Sequence, residues 1–251
     1  MFSVVLPCFN ESRHGYLPRI LENLLAQAGE KQIIAVVSPS SDDTLAVVRQ
    51  FPAVDIIETA AINRAQRLTE GIKASKGEWV LLHHPATLLP ERIALQQAAA
   101  TLFAEQAVWG GFIHGFDMDH WLLRFTSWYS TRVRSRPSIF SPQGILYLDH
   151  CIFASREVLM EIGGVPDMDI FEDTALSIAL NQWGKPAIAP VKVTTSARRF
   201  RQRGIYRQAL LNQLLKVMYY AHLDPKRLNW LYESKSQINV AYSESALDPN
   251  E

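Results

Sequence analysis

The chain has 251 residues, 48% hydrophobic and 20% charged, with 25 basic and 25 acidic side chains. That balance excludes a mainly disordered chain, and the zero net charge excludes a whole-molecule attraction to nucleic acid. The two cysteines, Cys8 and Cys151, are too few for a disulfide framework or a cysteine-based zinc site, and they indicate free thiols in a reducing compartment.

The predicted elements follow in chain order. Phe2 to Leu6 reads as a short apolar strand ending at Pro7-Cys8-Phe9-Asn10-Glu11. Pro18 to Ala28 carries a helical stripe with proline in the first turn. Gln32 to Val37 is a buried-type strand. Ser40 to Asp43 fits a capping box that opens a helix through Phe51. Val54 to Glu58, Asn63 to Ala74, Glu78 to His83 and Pro90 to Ala104 continue the alternation of strand and helix. Ala107 to Phe116 and Gly144 to Ser155 read as strands, with a helix over Trp121 to Arg134 between them. Glu172 to Trp183 is a helix, Ala187 to Thr195 a strand, and Ile205 to His222 a long helix. Repeated strand–helix units imply a mostly parallel sheet flanked by helices, with ligands beyond the carboxyl ends of its strands. No leader is expected ahead of the first strand, and no apolar run approaches the ~18 residues of a membrane span. The expected location is cytoplasmic, with peripheral contact at the inner membrane face left open.

Charge is segregated along the chain. His120 to Leu148 holds four arginines and no acid, and Asp149 to Asp173 holds seven acids and one arginine. Thr174 to Leu223 holds eight basic residues and no acid. Such segregation suggests a carboxylate working beside an anion-binding wall; the alternative is basic helix faces that share no site.

The run Ser3-Val4-Val5-Leu6-Pro7-Cys8-Phe9-Asn10-Glu11 resembles the opening strand of family-2 glycosyltransferases of the GT-A fold. Three further stretches match in order. They are Asn63-Arg64-Ala65-Gln66 with Gly71 and Ala74 to Glu78; Arg156 through Gly163-Gly164 to Glu172-Asp173; and Thr195-Ser196-Ala197-Arg198-Arg199-Phe200. The resemblance covers about residues 2 to 232 and is nearest to a bacterial subgroup associated with radical-SAM and selenodomain proteins. It implies a single domain over 1–232, with a nucleotide-binding half (1–117), an irregular acceptor and catalytic half (118–232), and a polar tail (233–251). It implies a nucleotide-sugar donor, an unknown acceptor with a lipid or a small molecule as candidates, no nucleic-acid partner, and inverting transfer.

The resemblance also assigns roles. Asp173 is the base and Glu172 its support, because an attacking hydroxyl must lose its proton. Pro7, Asn10, Glu11, Ser38, Arg64 and His84 line the nucleotide-sugar site. Arg198 and Arg199 face the diphosphate, since guanidinium forks suit phosphate oxygens; Arg201 is left out. Apart from the resemblance, Asp149 and Trp128 are candidates for the acceptor side, Trp128 because sugars and lipids stack on rings; the alternative for an aromatic at helical spacing is core packing. For Glu172 and Asp173 the bland reading is that acids favour the first turn of a helix.

The sequence departs from the family pattern twice. Ser38 stands where the family has an aspartate that contacts the donor's base. His84-Pro85-Ala86 stands where an Asp-x-Asp motif places a metal ligand, so the usual Mn or Mg is in doubt. His84 alone is a poor site for such an ion. Either the arginines neutralise the diphosphate without metal, or the protein is a catalytically silent binding module on this fold. Asp149-His150 offers a relocated ligand pair as a third alternative. Nucleotidyl transfer on a related fold is weaker, because no Gly-rich loop follows the first strand.

Overall fold

The structure is a computed structural model describing residues 1–12, 15–90, 92–137 and 144–233. The strands are β1 (Phe2–Cys8), β2 (Lys31–Val37), β3 (Asp55–Glu58), β4 (Trp79–Leu82), β5 (Thr87–Leu88), β6 (Trp109–Phe116), β7 (Phe153–Ser155) and β8 (Ala187–Thr195). They form one sheet in the order β3-β2-β1-β4-β7-β6-β8-β5. β1 pairs in parallel with β2 and β4, and β2 with β3. β7 is antiparallel to both β4 and β6, while β6 and β8 are parallel. The expected mostly parallel α/β sheet is therefore present, and the reversal at β7 marks where the regular half ends.

Both faces of the sheet are covered, so its strands read as continuous apolar runs. Val4 and Leu6 of β1 pack with Ile20, Leu21 and Leu24 of α1 (Leu17–Leu25) and Ala98 of α4 (Ala94–Glu105). Val5, on the opposite pleat, packs with Leu68 and Ile72 of α3 (Arg64–Ala74) and Leu176 of α7 (Glu172–Leu180). Asn63 caps α3 by accepting from the Gln66 amide at 2.9 Å. Gly71 lets α3 press onto β1: a Cβ there would lie 2.2 Å from Val5 Cγ1.

The expected strand from Gly144 to Ser155 is corrected. Leu148–His150 is a 3-10 turn, Cys151 takes a left-handed conformation with φ +47°, and only Phe153–Ser155 joins the sheet. Side-chain and backbone bonds among Tyr147, His150 and Asp173 replace the ladder there. The expected helix from Trp121 to Arg134 is α5 (Trp121–Tyr129) followed by a π-helical turn, Ser130–Arg134. Three helices have no counterpart in the sequence reading: α6 (Arg156–Glu161), α8 (Arg198–Arg203) and α10 (Pro225–Glu233). α9 spans Ile205–Tyr220, and the short α2 is Thr44–Val48. Of the expected polar tail, Glu233 ends α10 and is buried, while 234–251 lies outside the described residues.

Candidate active site

A cavity of about 690 Å³ opens on the side where β4 ends. Its polar end is formed by Arg64, His84, Asp149, Asp173, Arg198 and Arg199. Six residues singled out in the sequence thus converge from α3, the β4–β5 loop, the 3-10 turn, α7 and α8. Its other end is apolar, with Phe125 and Tyr129 from α5 and Leu210 from α9.

Arg64 and Glu172 form the cross-brace of the polar end. The guanidinium of Arg64 donates through Nε to Glu172 Oε1 and pairs with the same oxygen through a second nitrogen. Glu172 is buried and does not line the cavity, so it holds Arg64 in place. Burial alone would push the Arg64 guanidinium down, but Glu172 and Asp173 outweigh it and keep it charged. Asp173 reaches the cavity. Its Oδ2 accepts from the Leu148 amide at 3.0 Å and its Oδ1 from the Thr174 amide at 2.7 Å. Burial pushes the carboxyls of Glu172 and Asp173 up, and Arg64 opposes this.

Arg198 Nη2 lies 3.8 Å from Glu11 Oε2. Arg199 stacks on the Tyr232 ring at 4.6 Å and donates to its hydroxyl; Arg203 donates to the Tyr232 carbonyl at 2.6 Å. Tyr232 also lines the cavity. The sequence reading missed it, although Pro225 followed by Leu228, Leu231 and Tyr232 carries a helix-start and one-face signal. Arg201 bonds Asp117 at 2.9 Å and does not line the cavity.

The loops after β1 and β2 sit behind this wall. Pro7 lies within β1 and is buried. Asn10, with φ +53°, accepts from the Ser41 amide at 2.8 Å. The Glu11 amide donates to Thr44 Oγ1 at 2.9 Å. Ser38 is 1% exposed; it donates to the Ala61 carbonyl at 2.6 Å and accepts from Arg67 at 3.1 Å. Pro7, Asn10, Glu11 and Ser38 do not line the cavity. Arg67, one turn beyond Arg64 on α3, stacks over Phe9 at 5.2 Å. Burial lowers its guanidinium to about 10, with Arg64 adding to the effect. The i, i+3 spacing of the two arginines was the available signal for it.

His84 and Asp149 face each other, with Nε2 and Oδ1 3.6 Å apart. Burial, then Arg64, Arg198 and Arg199, hold the imidazole neutral well below its ordinary range, so the contact is not an ion pair. Its Nδ1 lies 3.1 Å from Thr87 Oγ1. His150 is fully buried and does not line the cavity, with its ring 5.4 Å from that of His114. Trp128 is 54% exposed, its ring tilted at 35° to that of Phe125 with centroids 5.8 Å apart, and it does not line the cavity.

These residues do not fit a resident divalent metal. Ala86 lines the cavity with a methyl group, and no three His, Cys, Asp or Glu side chains gather for an ion among the described residues. Among them, Asp149 and Asp173 are the carboxylates that reach the cavity, and together they supply fewer oxygen ligands than the roughly six a hard cation takes.

The family model for glycosyl transferase family 2 matches residues 3–163. This chain belongs to that family. Solved structures share the fold at low identity. TarS from S. aureus is 13% identical with a TM-score of 0.61, covering 97% of this chain and 44% of its own. The mannosyltransferase PcManGT from Pyrobaculum calidifontis, solved with GDP-Man and Mn2+, is 19% identical with a TM-score of 0.61, covering 98% and 76%. Glucosyl-3-phosphoglycerate synthase from Mycobacterium tuberculosis, solved with Mn2+, UDP and glucosyl-3-phosphoglycerate, is 17% identical with a TM-score of 0.53, covering 78% and 70%. This chain thus spans less than half the length of TarS. No curated protein matches the chain.

Proposed function

We propose that this protein transfers a sugar from a nucleotide-sugar donor to an acceptor hydroxyl by single displacement, inverting the anomeric centre. The carrying observation is Asp173, a carboxylate at the head of α7 that reaches a cavity walled by Arg64, Arg198 and Arg199. In this reading Asp173 takes the acceptor proton as the new bond to the anomeric carbon forms. The bond from that carbon to the diphosphate oxygen breaks, and Arg198 and Arg199 balance the charge that departs. Burial raises the Asp173 carboxyl, which makes the ionised form a stronger base. Glu172 acts through Arg64, as a positioning residue. The nucleotide lies over the loops after β1 and β2, with Arg67 beneath them. No step runs through a metal. The likeness to the radical-SAM- and selenodomain-associated subgroup belongs to this same reading, and the acceptor is left as a hydroxyl compound.

A silent nucleotide-binding module is the second reading, favoured by the enclosed Ser38 hydroxyl and by Ala86. Thermal unfolding with UDP- and GDP-sugars, with and without Mn2+, followed by a turnover assay with the best donor, separates the two. A donor at 100 times its Kd should stabilise by about 2.7 kcal/mol. A metal-independent shift plus slow donor hydrolysis supports the transferase. A shift without any turnover supports the silent module. A shift that requires Mn2+ overturns the arginine-only account of the diphosphate.

A further inference from the structure

α9 is apolar on two opposite sides. One side packs inward, with Leu215 buried beside Ile170 and Leu228 and with Met218 and Tyr219 against them. The other side carries Tyr206, Leu210, Leu214, Val217 and Tyr220, all exposed, at i, i+4, i+8, i+11 and i+14. A helix with one buried side is ordinarily polar on the other. α5 repeats the pattern: Trp121, Phe125, Trp128 and Tyr129 are exposed on one face at i, i+4, i+7 and i+8.

These two stripes form one surface, because the helices are tied at both ends. Trp121 Nε1 donates to Tyr206 Oη at 3.3 Å, and Arg134 Nη2, in the turn that continues α5, donates to Tyr220 Oη at 2.7 Å. The other exposed residues on the two faces are Arg124, Arg132, Arg207 and Gln213. Arg124 pairs with Asp119 just ahead of its helix. No acid occurs from 120 to 148 or from 174 to 223. The cavity opens between the stripes, since Phe125, Tyr129 and Leu210 line it.

We infer that the joined outer faces of α5 and α9 dock this protein on an anionic lipid bilayer. Tryptophan and tyrosine beside leucine, with arginines as the charged groups, suit an interface between headgroups and acyl chains. A second copy of the chain is a poorer occupant, because pairing this face with itself sets arginines against arginines. The contact is superficial: no described helix is long and apolar enough to cross a membrane. The docking does not depend on the transfer chemistry, so its test needs no substrate.

The experiment is co-sedimentation of the full chain with vesicles of phosphatidylcholine alone or with phosphatidylglycerol, read together with tryptophan emission. Binding to the anionic vesicles, with a blue shift, is expected, as is release by 0.5 M salt. Each of Arg132→Glu and Arg207→Glu should weaken partitioning at least about fivefold, the equivalent of roughly 1 kcal/mol per basic residue near such a surface. Leu214→Ser/Val217→Ser should weaken it while leaving the thermal unfolding midpoint unchanged. Equal binding to neutral vesicles overturns the choice of an anionic surface. No binding by a monomer overturns the proposal. So does no binding by a protein that self-associates until Leu214→Ser/Val217→Ser separates it, which would assign the face to a second copy.

Discussion

Where β1 and β2 end, several polar groups bond one another behind the cavity. Asn10 holds Ser41, Thr44 holds the Glu11 amide, and Ser38 is fixed between Ala61 and Arg67. Where β4, the 3-10 turn and α7 meet, the charged groups of Asp149, Asp173, Arg198 and Arg199 face a cavity instead. The first region is a finished scaffold. The second keeps charge out of full solvation, and its carboxyls are pushed up as a result. The contrast teaches where chemistry is to be sought: a polar group enclosed behind the cavity shapes the site, and one that lines the cavity, as Asp173 and Arg199 do even while bonded to neighbours, can act on a substrate.

Substitutions at both regions, together with acid, test that contrast. Asp173→Asn should lower turnover about 10²- to 10⁴-fold while leaving the donor-induced thermal shift intact; a variant retaining full turnover removes Asp173 from the base role. Arg64→Leu strands the buried Glu172 and should cost about 3–5 kcal/mol in urea unfolding, with much of it recovered in Arg64→Leu/Glu172→Leu. If the double variant is no more stable than the single, the cross-brace is not the source of the cost.

Acid should destabilise the fold. Burial depresses His83, His114 and His150 to about 3, below the ordinary 6.5 of the unfolded chain. Between those values the unfolded state binds protons that the folded state refuses, so stability falls as pH drops, by about 1.4 kcal/mol per unit for each histidine. The raised carboxyls of Asp149, Glu172 and Asp173 act in the opposite sense over part of that window. His114→Gln should flatten the measured slope by about one proton. The smallest effect is Ser38→Ala, at about 1 kcal/mol in unfolding. A large loss of donor affinity with little loss of stability would instead place the Ser38 hydroxyl on the ligand.

The regular half was legible because strand runs such as Val4–Leu6 and stripes such as Ile20, Leu21 and Leu24 repeat at fixed periods. The convergence of Arg64, Asp173 and Arg198 was legible through ordered motifs and segregated charge. The stretch from Gly144 to Cys151 was not, because its apolar residues mimic a strand while a left-handed Cys151 and the Asp173 carboxylate shape it from afar. Tyr232 escaped because its partners Arg199 and Arg203 lie about thirty residues back along the chain. Ser38 was singled out by its place after β2, but nothing in the sequence signals that its hydroxyl is already engaged.

The close seat of α3 on Val5 has a consequence for random mutagenesis. Arg64 and Arg67 take their height above the sheet from that contact, so Gly71 works as a spacer of zero thickness. A screen for lost activity should recover substitutions at Gly71 beside those at Arg64, though residue 71 itself lies in the core, packed against β1. A methyl group there must shift Val5 or lift the helix, and lifting the helix draws the Arg64 guanidinium off Glu172 with every side chain of the site unchanged.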